Sequence, residues 1–289
     1  MHLLMILIAL TVSVTLRCSW TNSQGNWDVK WQRSLFIFLF PPLLIFMTAI
    51  AVLCMGTQGK MGGVYTGWLS YGLALICLTL GSFLCIKLAW QGLQSVESAR
   101  NCPLVNLEGK QVRLLNTEAL FAGQIGFWQP ELVVSQGLLK TLSPDHVNSV
   151  LAHEQGHYYY RDTFWFFWLG WVRSCTSWLP NTEPLWQELL VLRELRADNY
   201  AALQTDPLLL AESLLLVVSN TSVFLESGIC CAALGVSGVG DAYDGLRLRL
   251  EQRIEALLSP PQQTSNLSWQ SWNGFLLAFL PLVSVIFHF

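Results

Sequence analysis

Ser143-Pro144-Asp145-His146-Val147-Asn148-Ser149-Val150-Leu151-Ala152-His153-Glu154-Gln155-Gly156-His157 reads as one helix that ends in metal-binding chemistry. Ser143 is a natural N-cap, Pro144 suits the first helical position, and Asp145 places a negative charge in the first turn. Val147, Val150 and Leu151 follow at helical spacing. His153 and His157 then fall in the third and fourth turns. Histidines four apart stack on one helix face, roughly 6 Å apart along the axis, so both rings can reach one zinc ion at about 2.0 to 2.1 Å. Glu154 lies one position on from His153 and can meet a water on that ion. With 5 His in 289 residues, chance supplies this pattern only about 0.004 times. The spacing therefore predicts a Zn2+ site with a base beside it.

A catalytic zinc usually has three protein ligands and one open position. A third histidine six residues beyond His157 would stand at Thr163, and the remaining histidines are His2, His146 and His288. His146 shares the helix face but lies two turns away from His153. An acid is therefore expected. Glu194 and Asp198, within Arg193-Glu194-Leu195-Arg196-Ala197-Asp198, are also four apart and face one side of a second helix. One of the pair can ligate zinc while the other orients a ligand histidine through its free ring N–H. The chain between His157 and Glu194 is long enough for one helix to end, turn at Trp178-Leu179-Pro180-Asn181, and a second to return.

His-Glu-x-x-His, then Arg161-Asp162, then Arg-Glu-x-x-Ala-Asp resembles the membrane zinc metalloproteases of the HtpX and CAAX-prenyl-protease type. It also resembles the related peptidase domain of the beta-lactam sensor-transducers. These are gluzincins, and the likeness spans about residues 112 to 258. Phe121-Ala122-Gly123 through Gln129-Pro130-Glu131-Leu132-Val133-Val134-Ser135-Gln136-Gly137-Leu138 looks like the family's strand pair before the zinc helix. Gln252-Arg253-Ile254-Glu255-Ala256-Leu257-Leu258 looks like the segment that closes the domain. The resemblance implies His153, His157 and Glu194 as zinc ligands, Glu154 as general base, and Asp198 and Asp162 as acids supporting the ligands. The closing segment lacks the His-Pro pair often found before its Arg in the HtpX type, so the oxyanion donor is not identified. The short, mostly apolar stretch after Leu258 gives no place for a beta-lactam-binding domain.

Charged residues are 12% of the chain against about 25% in soluble domains, Trp numbers 13, and the mean hydropathy is +0.43. This composition predicts a membrane protein. Ser34 to Cys54 and Val64 to Ile86 are free of charge and exceed the roughly 20 residues that cross a bilayer. Met1 to Leu16 has no basic n-region and no small-residue cleavage site, so it reads as a third span rather than a secretory signal. Trp269 to Phe289 is expected to enter the membrane. Basic residues concentrate in the loop 17 to 33 and beyond the third span, at Lys87, Arg100, Lys110 and Arg113. By the positive-inside rule the peptidase region faces the cytoplasm. Thr163 to Val172 is apolar but too short to span. If the helix begun at Pro144 runs on through it, this part dips into the interfacial zone favoured by Trp and Tyr.

The expected fold class is thus a mainly α integral membrane protein, multi-pass, with an α+β zincin-like peptidase domain carrying a small β-sheet. Its regions are 1–90 with three spans, 91–258 as the peptidase domain, and 259–289 as a linker and membrane segment. The expected function is a membrane zinc endopeptidase acting on membrane or membrane-proximal proteins, with extended substrate along an edge strand within 119–134. The eight cysteines form no Cys-x-x-Cys pair and imply no disulfides. The glycines of 227–245 read as a loop without a phosphate-binding pattern. A net charge of −3 with no basic patch argues against nucleic acid as a partner.

Three rivals stand beside this reading. A site-2-type intramembrane protease would need a Leu-Asp-Gly-like ligand motif in a span, and Tyr243-Asp244-Gly245 adjoins Arg247 and Arg249 instead. A signalling or scaffold protein with a structural zinc would have no need of Glu154. A zinc-dependent partner of a membrane complex would digest no casein, with or without a chelator.

Overall fold

The computed structural model describes residues 2–21, 27–56, 60–61, 64–65, 68–107, 109–220, 250–259 and 274–286. The glycine-rich stretch 227–245, Cys230, Cys231, Tyr243-Asp244-Gly245, Arg247 and Arg249 lie outside the described residues. In chain order α1 (His2–Cys18) and α2 (Trp27–Met55) precede a short hairpin of β1 (Lys60–Met61) and β2 (Val64–Tyr65). Then come α3 (Trp68–Arg100), β3 (Leu104–Leu107), β4 (Lys110–Leu115), β5 (Ala122–Ile125) and β6 (Glu131–Ser135). The helices α4 (Gln136–Thr141), α5 (Pro144–Tyr159), α6 (Asp162–Cys175), α7 (Thr182–Ala202) and α8 (Pro207–Asn220) follow. A helix over 250–258, here α9, a 3-10 turn at Gly274–Phe279 and α10 (Leu280–Ile286) complete the described chain.

Contacts divide the chain into two units. One comprises Met1–Lys87, Trp171–Leu190 and Gln263–Phe289; the other comprises Leu88–Gly170 and Val191–Gln262. In the first unit, Ala9 of α1 packs with Phe40 and Leu44 of α2 and with Ala278. Ala49 and Val52 of α2 pack with Ala74 of α3. Helices α2 and α3 are long and apolar enough to cross a membrane, which suggests membrane association. The expected span from Val64 starts instead at Trp68, because Val64 and Tyr65 pair with Met61 and Lys60. It also runs on to Arg100, since no proline interrupts it after Ile86. Among the described residues the C-terminal apolar stretch forms the 3-10 turn and the 7-residue α10.

The second unit is built on a four-stranded sheet of order β3-β4-β6-β5. β3 and β4 form an antiparallel hairpin, β4 runs parallel to β6, and β5 returns antiparallel on the outside of β6. The expected strand pair before α5 is thus β5 and β6, and among the described strands β5 lies at the edge. Alternation decides which face is covered. Val112 and Val134 turn toward Leu138, Val147, Val150 and Leu151 of α4 and α5 and form a buried cluster with Leu120 and Leu142. Each such side chain contributes roughly 1.5–3 kcal/mol by leaving water. On the opposite face Arg113 and Arg100 hold Glu131 at 2.7 and 2.8 Å.

Helix α5 starts as its cap residues require. Ser143 accepts from the His146 N–H, and Pro144 occupies the first turn. It does not run on through residue 172. Tyr160 caps it, Arg161 adopts a left-handed backbone with φ 53°, and α6 begins afresh at Asp162. A left-handed residue reverses the helical path, so α6 leaves in a new direction.

Candidate active site

Gly156 lets α5 and α7 come close. A Cβ there would lie 3.1 Å from the Cα and carbonyl oxygen of Ala197 and 3.3 Å from its Cβ, so a larger residue would push the helices apart. Around this crossing Ala152, Ala201, Leu210, Leu214 and Leu250 form a buried cluster, joined by Ile254 and Leu257 of α9. Each helix presents an i, i+4 pair toward the other: His153 and His157 from α5, Glu194 and Asp198 from α7.

The two histidine Nε2 atoms lie 3.1 Å apart. His153 Nε2 is 3.4 Å from Glu194 Oε2, and His157 Nε2 is 3.7 Å from Glu194 Oε1. Three ligands held about 2.0–2.1 Å from a tetrahedral ion are separated by roughly 3.3 Å, so these spacings match a zinc-sized centre to within a few tenths of an ångström. His153, His157 and Glu194 are also the group of chelating side chains, among the described residues, close enough to hold a metal ion. The other ring nitrogens face carboxylates. His157 Nδ1 is 2.7 Å from Asp162 Oδ2, and His153 Nδ1 is 2.8 Å from Asp198 Oδ1 without the alignment of a full hydrogen bond. With Nδ1 engaged by an acid, each imidazole is set to offer Nε2 as the ligand atom. The donor set therefore fits the three-ligand site of a catalytic zinc.

Glu154 is buried beside the histidines, and its charge bears on both His157 and Arg253. The Gln124 side-chain amide, on edge strand β5, donates to the Glu154 carbonyl at 3.3 Å and pins that strand to the site helix.

Three arginines balance these acids. Arg253 Nε and Nη2 donate to Asp198 at 2.7 and 2.8 Å, while its Nη1 lies 3.2 Å from Glu194 Oε2. Arg193 donates to Glu194 Oε1 at 3.0 and 2.7 Å. Arg196 pairs with Asp162. Burial raises the Glu194 carboxyl, but Arg193, His157 and Arg253 outweigh it and hold the group well below the usual range. For His157, burial lowers the pKa, and the Glu194 charge with the Asp162 hydrogen bond reverses this and pushes it up to about 10. His153 is likewise raised: burial opposes charging, and Asp198 overcomes it. Without metal, His157 therefore keeps its proton at neutral pH.

Helix α5, the turn into α6, and α7 bring together every candidate chosen from the sequence: His153, Glu154, His157, Asp162, Glu194 and Asp198. Sequence reasoning gave no site role to Arg253. Its signal was faint, a single cation among Glu251, Gln252 and Glu255 in the polar part of 250–258, and its partners are far away in the chain. The model of peptidase family M48 matches residues 105–188. That stretch holds the sheet, α5 and α6 and stops before Glu194. No curated protein and no solved structure matches the chain.

Proposed function

We propose, of a chain whose residues 105–188 match the model of peptidase family M48, that it is a metallopeptidase of that family and a zinc endopeptidase acting on membrane or membrane-proximal proteins. The observation that carries this reading is the convergence of His153, His157 and Glu194, with an acid on the far nitrogen of each imidazole. His153, His157 and Glu194 would hold the ion, which when bound polarises the scissile carbonyl and acidifies water. Glu154 takes the proton of the attacking water and returns it to the leaving amine. Asp162 and Asp198 keep the imidazoles oriented, and Arg253 holds Glu194 and Asp198 in place.

The sheet supports a place for the substrate. Among the described residues β5 pairs only with β6, so its outer edge would offer backbone groups to an extended peptide. Gln124 keeps that edge next to Glu154. The membrane part of the proposal is supported by α2 and α3, and α3 exposes Leu69, Leu73, Ile76, Leu80, Phe83 and Ile86. A soluble protein rarely displays such a surface. The placement of basic residues supports a peptidase region on the cytoplasmic side.

The test is casein digestion by the purified, detergent-solubilised protein. Activity that a chelator removes and zinc restores, and that Glu154→Gln lacks, supports the proposal. Zinc-bound protein that digests neither casein nor membrane-protein substrates would reject it in favour of a structural site.

A further inference from the structure

Helix α2 contains Pro41 and Pro42. Neither nitrogen carries a hydrogen, so the carbonyls of Ile37 and Phe38, four residues back, lose their helical donors. A bare carbonyl in an apolar setting needs another partner. Arg17 supplies one: it is fully buried, and its Nη2 donates to the Phe38 carbonyl at 3.0 Å with the guanidinium 5.0 Å from the Phe38 ring centre. One turn earlier in α1, Ser13 Oγ donates to the Pro41 carbonyl at 3.3 Å. Helix α1 is thus seated on the proline break of α2.

The same arginine has a second attachment. Its Nη1 donates to Thr182 Oγ1 at 3.3 Å, and its own carbonyl accepts from Asn181 Nδ2 at 2.8 Å. Thr182 begins α7 and bonds back to the carbonyls of Thr176 and Leu179 at 2.7 and 3.0 Å. Asn181 holds a left-handed φ of 55°. Buried arginines are ordinarily paired with acids, yet among the described residues the Arg17 guanidinium meets one carbonyl, a hydroxyl and a ring. Its position is explained by what it joins.

We propose that Arg17 is a positioning residue. It caps the carbonyl that Pro42 leaves bare and fixes the turn between α6 and α7, from which α7 runs unbroken from Thr182 to Ala202 and carries Glu194 and Asp198. The effect on metal rests on the proposed function; the pairing with the proline break does not.

The test uses the full chain in detergent, with Arg17→Met, Pro42→Ala and the double variant. An alanine at 42 restores the missing N–H to the Phe38 carbonyl. Arg17→Met should lower the unfolding midpoint by about 3 °C or more, and by less than half as much when Pro42→Ala is present. An equal shift in both backgrounds overturns the pairing. Zinc competition against a chromophoric chelator reads the second attachment: Arg17→Met should weaken zinc about tenfold, Pro42→Ala should not recover it, and Arg17→Lys should recover part. Coupled midpoints with unchanged zinc affinity overturn the positioning of α7 alone. If the unaltered protein binds no zinc, the functional reading fails separately and the midpoint coupling still decides the pairing. If Arg17→Met does not fold, Arg17→Lys in both Pro42 backgrounds carries the same comparison.

Discussion

At the scale of single residues, the chemistry rests on who holds protons. Glu154→Gln keeps the shape and removes the proposed base, so turnover should fall by about 10²–10⁴-fold while metal analysis finds zinc unchanged. Asp162→Asn or Asp198→Asn should keep the fold but weaken zinc roughly 10–100-fold, read by chelator competition. The pH behaviour follows from His157, whose folded pKa of about 10 exceeds its unfolded value of about 6.5. Its contribution to the metal-free protein is complete below about pH 6.5 and is lost as pH rises through about 10. The thermal midpoint of the metal-free protein should therefore fall from pH 7 to 10. Zinc must displace these protons, so its affinity should rise over the same window, measurable as proton release by calorimetry in two buffers. His153, Glu154 and His157 were legible because four residues make one helical turn, a local rule. Arg253 was not, because its partners Asp198 and Glu194 are reached only through folding.

At the scale of elements, two glycines mark where backbones touch. A Cβ on Gly137 would stand 1.9 Å from the Glu118 carbonyl oxygen, a clash with backbone that no rotamer relieves. Gly137→Ala should destabilise the peptidase unit by about 1–3 kcal/mol or more, seen in thermal or denaturant unfolding. Gly156→Leu should separate α5 from α7 and release zinc, because Ala197 leaves no room. Helix α5 was readable from Ser143 and Pro144, whose capping roles are local. Its end was not: Tyr159, Tyr160 and Arg161 carry no glycine or proline stop signal. Asp162 there meets His157 and Arg196, so tertiary contacts reward the break.

At the scale of the whole molecule, α2 and α3 are, among the described residues, two helices long and apolar enough to cross a bilayer. The protein should stay in the membrane pellet through an alkaline carbonate wash and leave it only with detergent. Release by carbonate alone would assign those helices to a soluble core. Composition and run length sufficed to find both helices, since crossing a bilayer demands apolar length and little else. They did not show that α3 begins at Trp68 or that α1 rests on Pro41 and Pro42, because strand pairing and interhelical hydrogen bonds decided those. By itself the sequence determined what depends on neighbours within one turn: caps, i, i+4 pairs and apolar runs. The tertiary structure alone decided which distant charges meet, since burial makes an unpaired charge costly and only the packed chain shows that Arg253, Arg193 and Arg196 answer the acids around His153 and His157.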